Sequence, residues 1–240
     1  MFALLIHIYY HDSWTKIFKE QLKALEYFSP VIMINLCVDI PGSNTIVNAI
    51  KQDFPSAFII TTPNKGKDIG GKLALINFFL KTDQKSEFII FLHDKISPHS
   101  TIGDEWRKKL FVIIDSAKVA DILEEFKQDS KIGIVGSKEF IKNEFNEKKQ
   151  AWETTNNQKL EELTGRFRLN ITDHTFVAGT MFWMRSSIIR NFFTRFSPFA
   201  CREVLEEGDP TDQYDGTYTH SWERIFCWLA NDQQYTIKGI

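Results

Sequence analysis

The feature that most restricts this chain is an alternation within its first 95 residues. Short, nearly continuous apolar runs at 2–10, 31–38, 57–62 and 87–92 are separated by longer segments whose apolar residues recur every three or four positions. Trp14, Ile17, Phe18, Leu22, Leu25 and Phe28 form one such stripe, Ile46, Val47 and Ile50 a second, and Leu73, Leu75, Ile76 and Phe79 a third. Strands that are apolar on both faces need helices over both faces, which is the signature of a parallel α/β sheet. Asp12 stands where a helix N-cap belongs, Pro30 ends the first helix, and Pro41-Gly42-Ser43 marks a turn. In an open sheet of this kind ligands collect beyond the carboxyl ends of the strands. Asp39, the loop 64–71 and the residues from His93 to Lys95 all fall on that rim.

The remainder predicts a helix over 104–129, a short strand at 132–137, a strand at 175–184 and helices at 186–196 and 219–231. Residues 139–166 are polar and read as one or two solvated helices lying over a single domain, 1–240. A formal net charge of -2 gives no global field that would draw nucleic acid. Cys37, Cys201 and Cys227 are too few and too scattered for a disulfide framework or a zinc site, which points to a reducing cytoplasm. No run reaches the roughly 18 apolar residues of a membrane-spanning helix, so a lipid-linked substrate would be met peripherally, at the inner face of the membrane.

Four stretches could carry chemistry. The loop Asn64-Lys65-Gly66-Lys67-Asp68-Ile69-Gly70-Gly71 joins a strand to a helix, where backbone N–H groups favour anions. It fits neither the P-loop nor the GxGxxG spacing. Asp68 could hold a ribose or base while Lys65, Lys67 or Lys72 faces phosphate; the plain alternative is a tight polar turn. His93-Asp94-Lys95, followed by His99 and Arg107, ends an apolar strand with a cluster able to neutralise a leaving diphosphate. The alternative there is a solvated ion pair. Gly179-Thr180-Met181-Phe182-Trp183-Met184-Arg185 reads as a core strand in which Trp183 could offer an indole face to a sugar. In Thr219-His220-Ser221-Trp222-Glu223-Arg224 the spacing puts His220, Glu223 and Arg224 on one helix face, where Glu223 could serve as a general base or simply pair with Arg224.

Taken in order, His7-Ile8-Tyr9-Tyr10, Asn64-x-Gly66-x-Asp68-Ile69-Gly70, Leu92-His93-x-Lys95-x-Ser97-x-His99 with Trp106-Arg107, Ala178-Gly179-Thr180-Met181-Phe182-Trp183-x-Arg185 and His220-x-x-Glu223-Arg224 resemble the motifs of the rhamnan synthesis protein F family. The resemblance covers nearly the whole chain. It implies a GT-A-like, nucleotide-sugar-binding fold with a mostly parallel sheet flanked by helices. It also implies transfer of rhamnose or a related deoxyhexose, with dTDP-rhamnose favoured as donor, to a glycan or lipid-linked oligosaccharide acceptor in cell-surface polysaccharide synthesis, alongside other glycosyltransferases. On that reading Glu223, Lys95 and His93 are catalytic. His7, Asn64, Gly66, Lys67, Asp68, Gly70, Asp94 and Arg107 hold the nucleotide sugar, and Thr180, Trp183, His220 and Arg224 line the acceptor side. His93-Asp94-Lys95 stands where many GT-A enzymes carry Asp-x-Asp, so no divalent metal is expected. The rival readings are an inactive nucleotide-sugar or glycan-binding module of the same fold and a metal-dependent phosphoesterase using His93, Asp94, His99 and His220.

Overall fold

The computed structural model describes residues 1–39, 43–82, 85–94, 103–211 and 216–240. Its elements are β1 (Phe2–Ile8), a π-helical turn (Trp14–Phe18) running into α1 (Lys19–Lys23), β2 (Val31–Cys37), α2 (Ser43–Asp53), β3 (Phe58–Thr62), α3 (Lys67–Lys81), β4 (Phe88–His93), α4 (Gly103–Leu110), α5 (Ser116–Gln128) and β5 (Ile132–Gly136). Then come β6 (Ile141–Asn143), β7 (Phe145–Asn146), β8 (Ala151–Trp152), α6 (Asn157–Phe167), β9 (Thr175–Val177), β10 (Phe182–Arg185), α7 (Ser186–Phe193), α8 (Pro198–Glu203), α9 (Tyr218–Asp232) and β11 (Thr236–Gly239).

Among the described residues the main sheet has seven strands in the order β11-β5-β10-β4-β1-β2-β3. β3, β2, β1 and β4 run parallel, β10 enters antiparallel between β4 and β5, and β11 pairs parallel with β5. The expected α/β architecture, a mostly parallel sheet flanked by helices, is therefore present. The chain builds outward from β1 to β3 and then crosses back to lay β4 on the other side of β1, so the connections diverge between β1 and β4. That divergence opens a crevice at the carboxyl ends of these two strands. His7 of β1 and His93 of β4 are register partners there.

Strand pleating sorts the side chains between two cores. Ala3, Leu5, Met33, Ile89, Phe91, Phe182 and Met184 pack with α3, α6, α7 and α9. Phe2, Leu4, Ile6, Ile34, Ile90, Leu92 and Trp183 pack on the other face against α2, α5 and the first helical segment. The same alternation places His7, Asn35 and His93 on the α3 face. Among the described residues no helix is long and apolar enough to cross a membrane.

The structure departs from the sequence reading at five places. The helix at 104–129 is interrupted at Asp115, whose extended backbone and carboxylate cap a fresh start by accepting from the Ala117 N–H at 3.0 Å. The strand at 175–184 is two strands, because Gly179 (φ 86°) and Thr180 (φ 48°) turn the chain between them. The polar segment 139–166 is not purely helical: it holds β6, β7 and β8 before α6, which buries Leu160, Leu163 and Phe167. Helix α3 begins at Lys67, so half of the supposed loop is its first turn. Finally, α8 and β11 carry no strong sequence periodicity and are added by tertiary packing.

Helix α3 lies close on β1 because Gly71 faces His7: a Cβ there would sit 2.2 Å from His7 Nδ1. Gly71→Ala is expected to lose about 2 kcal/mol in urea denaturation through overpacking, despite the higher helix propensity of alanine. Gly165→Ala in α6, where an added Cβ meets nothing within 4 Å, is expected to gain up to about 1 kcal/mol.

Candidate functional site

The centre of the site is a buried polar cluster over the β1–β4 crevice. Asp68 and Lys72 lie one turn apart on α3, and Lys72 Nζ donates to Asp68 Oδ2 at 2.5 Å and to Thr180 Oγ1 at 2.6 Å. It also lies 3.1 Å from His93 Nδ1. The Thr180 hydroxyl donates to Asp68 Oδ2 at 2.6 Å, and His93 Nδ1 stands 3.5 Å from the same oxygen. Burial alone would raise the Asp68 carboxyl, but the charges of His93 and Lys72 and the hydrogen bonds from Lys72 and Thr180 hold it well below the usual carboxylate range. Lys72 is fully buried in this cluster and is not the phosphate-facing lysine that the sequence allowed.

Beside the cluster, the Asn35 side-chain amide donates to His7 Nδ1 and to Thr62 Oγ1, both at 2.9 Å. Burial pushes the His7 imidazole down to about 4, with Asp68 opposing and Lys72 and Arg202 adding to the shift. The ring is therefore neutral with its proton on Nε2, and among the described residues that atom has no hydrogen-bond partner. Asp94 accepts from the Tyr9 N–H at 3.0 Å and the Tyr10 N–H at 2.6 Å. Burial nevertheless drives its carboxyl up to about 7, because these hydrogen bonds only partly offset desolvation.

The 64–71 segment forms the rim. Asn64 donates its backbone N–H to Asp39 at 2.7 Å and its side-chain amide to Gly208 O at 3.1 Å. Gly66 takes a left-handed φ of 72°, and Leu205 packs where its side chain would be. Lys67 reaches Asp209 at 3.0 Å. The N-cap of α3 is Gly66, which has no side chain of its own to bond the first N–H groups of the helix. Arg202 of α8, which sequence reasoning missed, donates to Gly70 O at 3.2 Å and Pro63 O at 2.8 Å and ties the rim down. Nothing in its local sequence marks it.

At the opening of α9, Thr217 caps the helix by accepting from the His220 N–H at 3.0 Å, and its hydroxyl lies 2.7 Å from His220 Nδ1. Glu206, also missed, accepts from the Tyr218 and Thr219 N–H groups at 2.7 and 2.9 Å. Glu223 accepts from the Gly179 N–H at 2.6 Å, next to Thr180, and from Arg224 at 2.5 Å. The segments around residues 68, 93, 180 and 223 are thus linked by one chain of contacts.

Other expected members lie elsewhere. Trp183 is on the opposite face of the sheet, fully buried against Phe2 and Phe88, with its indole N–H donating to Ile113 O at 2.8 Å. It has no face to offer a sugar. Arg224 is buried in ion pairs with Glu144 and Glu223 rather than turned to a ligand. Arg107 lines a groove of about 500 Å³ with Lys16, Gln21, Lys108 and Phe111. Lys95 and His99 lie outside the described residues. Among the described residues no group of three or more His, Cys, Asp or Glu is placed to hold a metal ion.

Two of the buried titrating groups, His7 and Asp94, pull stability in opposite directions. His7, depressed to about 4, contributes stability that is complete above its ordinary value of 6.5 and lost as pH falls to about 4. Asp94, raised to about 7, contributes stability that is complete below 3.8 and lost as pH rises through about 7. In the Asp94→Asn protein, urea denaturation should show stability rising from pH 4 to 6.5 by about 3 kcal/mol more than in the parent. In His7→Gln the same measurement should show it falling. Parallel profiles in all three proteins would contradict the assignment.

The sequence matches the rhamnan synthesis protein F family over residues 1–235. It is 25% identical over 231 residues to the uncharacterized protein WxcX of Xanthomonas campestris pv. campestris strain B100, and to the same degree to that of a second strain. These alignments take in 95% of this chain and 31% of the relative, so the chain spans about a third of the length of the curated relatives it matches. Among solved structures it is similar to the mannosyltransferase PcManGT from Pyrobaculum calidifontis in complex with GDP-Man and Mn2+, at a TM-score of 0.42 and 12% identity, over 99% of this chain and 54% of that one. With that match running over residues 1–235, the chain belongs to the rhamnan synthesis protein F family.

Proposed function

We propose that the chain is a glycosyltransferase of GT-A-like type that moves rhamnose or a related deoxyhexose from a nucleotide diphosphate, dTDP-rhamnose first, to a glycan acceptor in polysaccharide synthesis. The observation that carries this reading is the convergence of four separated family motifs on the carboxyl ends of β1 and β4. The uncapped start of α3, with Lys67 beside it, suits the diphosphate. Asn64, Gly66 and Gly70 shape that rim, and His7 Nε2–H is a buried donor in need of an acceptor. Asp68, held ionised, pairs with Lys72 and holds His93 at the end of β4, and in the proposal His93 and Lys95 meet the negative charge that develops on the departing nucleotide.

On the acceptor side, Thr180 and His220 flank Glu223. Glu223 accepts two hydrogen bonds, and a carboxylate has lone pairs for more, so it can still take a proton from an acceptor hydroxyl. Attack of that hydroxyl on the anomeric carbon, with departure of the nucleotide diphosphate in the same step, inverts the configuration.

Glu223→Gln should lower kcat by about 100-fold or more while leaving donor affinity unchanged. Donor affinity is read as the thermal shift produced by dTDP-rhamnose, with and without manganese. Full transfer activity in Glu223→Gln would remove Glu223 from the base role. A thermal shift without donor hydrolysis or transfer by the parent protein would favour a binding module instead. Lys67→Ala should weaken dTDP binding about fivefold to tenfold, measured by calorimetry, through loss of one charge-assisted contact.

A further inference from the structure

The polar segment between β5 and β9 does more than cover the fold. Glu144, between β6 and β7, is 1% exposed, and its Oε2 accepts from Arg224 Nε at 2.9 Å. Its Oε1 accepts from the Thr154 hydroxyl. Its backbone is pinned on both sides: its N–H donates to His174 O at 3.1 Å, and its carbonyl accepts from the Glu153 N–H at 2.9 Å. The other end of the same guanidinium holds Glu223, through Nη1 to Oε2 at 2.5 Å, and donates to His220 O at 3.1 Å. A second link leaves the same segment: Asn156 donates to Thr154 Oγ1 at 3.0 Å and accepts from the Thr217 N–H at 2.9 Å, at the residue that caps α9. Residues 144–156 therefore grip the first turns of α9 at two points.

We infer that Glu144 is a positioning residue that fixes the place of Glu223 through Arg224. The inference rests on Glu223 being the base proposed above. One guanidinium charge is divided between two carboxylates in a largely buried setting, so neither is fully neutralised. Without the Glu144 carboxylate, Arg224 would lose one of its two holds and could no longer fix Glu223 against the Gly179 turn.

The test is transfer kinetics of the full chain, with donor affinity read separately as the thermal shift produced by dTDP-rhamnose. Glu144→Gln should reduce kcat about tenfold with the donor KM unchanged. Glu144→Asp, which keeps the charge but draws it back from Arg224, should reduce kcat by less. It serves as the probe if Glu144→Gln does not fold. An unchanged kcat in a folded variant overturns the inference while leaving the base role of Glu223 in place. A kcat that falls in Glu144→Gln while Glu223→Gln keeps full transfer activity removes the base role and with it the inference.

Discussion

The architecture around the crevice depends on the ion pair between Lys72 and Asp68. Taking an ammonium and a carboxylate out of water costs several kcal/mol per ion, and attraction between them recovers this only when the remaining donors and acceptors are satisfied. Here Lys72 donates to Asp68 and Thr180 and lies 3.1 Å from His93 Nδ1, and Thr180 closes a ring by donating to Asp68. These residues come from α3, β4 and the turn before β10, so the pair cannot form unless the helix sits correctly on the sheet and the antiparallel strand is in register. A misplaced α3 would strand a charge in the core. The cluster thus penalises alternatives to the native arrangement as well as favouring the arrangement itself.

That rigidity gives the crevice a fixed electrostatic character. Neutral His7, ionised Asp68 and an Asp94 that titrates near neutrality lie within a few side chains of one another because burial acts on each while their partners differ. Asp68 has Lys72, His93 and two hydrogen bonds to outweigh desolvation, whereas Asp94 has chiefly backbone N–H groups. Two carboxylates of one site are therefore pushed apart by their surroundings, a pattern typical of sites that must hold one charge while letting another vary.

The parallel half of the fold was legible because its strands are apolar on both faces and its helices carry clear stripes, so local pattern and tertiary placement agree. The rim positions of Asn64, Asp68 and His93 followed from the same logic. Trp183 was misread because one residue of register decides which face of the sheet a side chain joins, and the pleat sends it away from Thr180. The turn at Gly179 and Thr180 was hidden inside an apolar run, since a single glycine is weak punctuation. Arg202, Glu206 and Glu144 were illegible for another reason: their partners are distant in sequence, and nothing local separates a buried, paired charge from a solvated one.

The direction of β10 explains how the two halves of the site meet. A parallel strand in that slot would bring its carboxyl end to the crevice and lead straight into the following helix. Running the other way, β10 instead presents its beginning, so the turn at 178–181 arrives from β9 carrying two polar groups in succession. The Gly179 N–H goes to Glu223 and the Thr180 hydroxyl to Asp68. One residue step, about 3.8 Å between Cα atoms, then separates the element that anchors the proposed base from the one that anchors the proposed leaving-group cluster. Any shift of β10 would move both together, so the reversed strand keeps the spacing between the two chemical functions constant even if the sheet breathes.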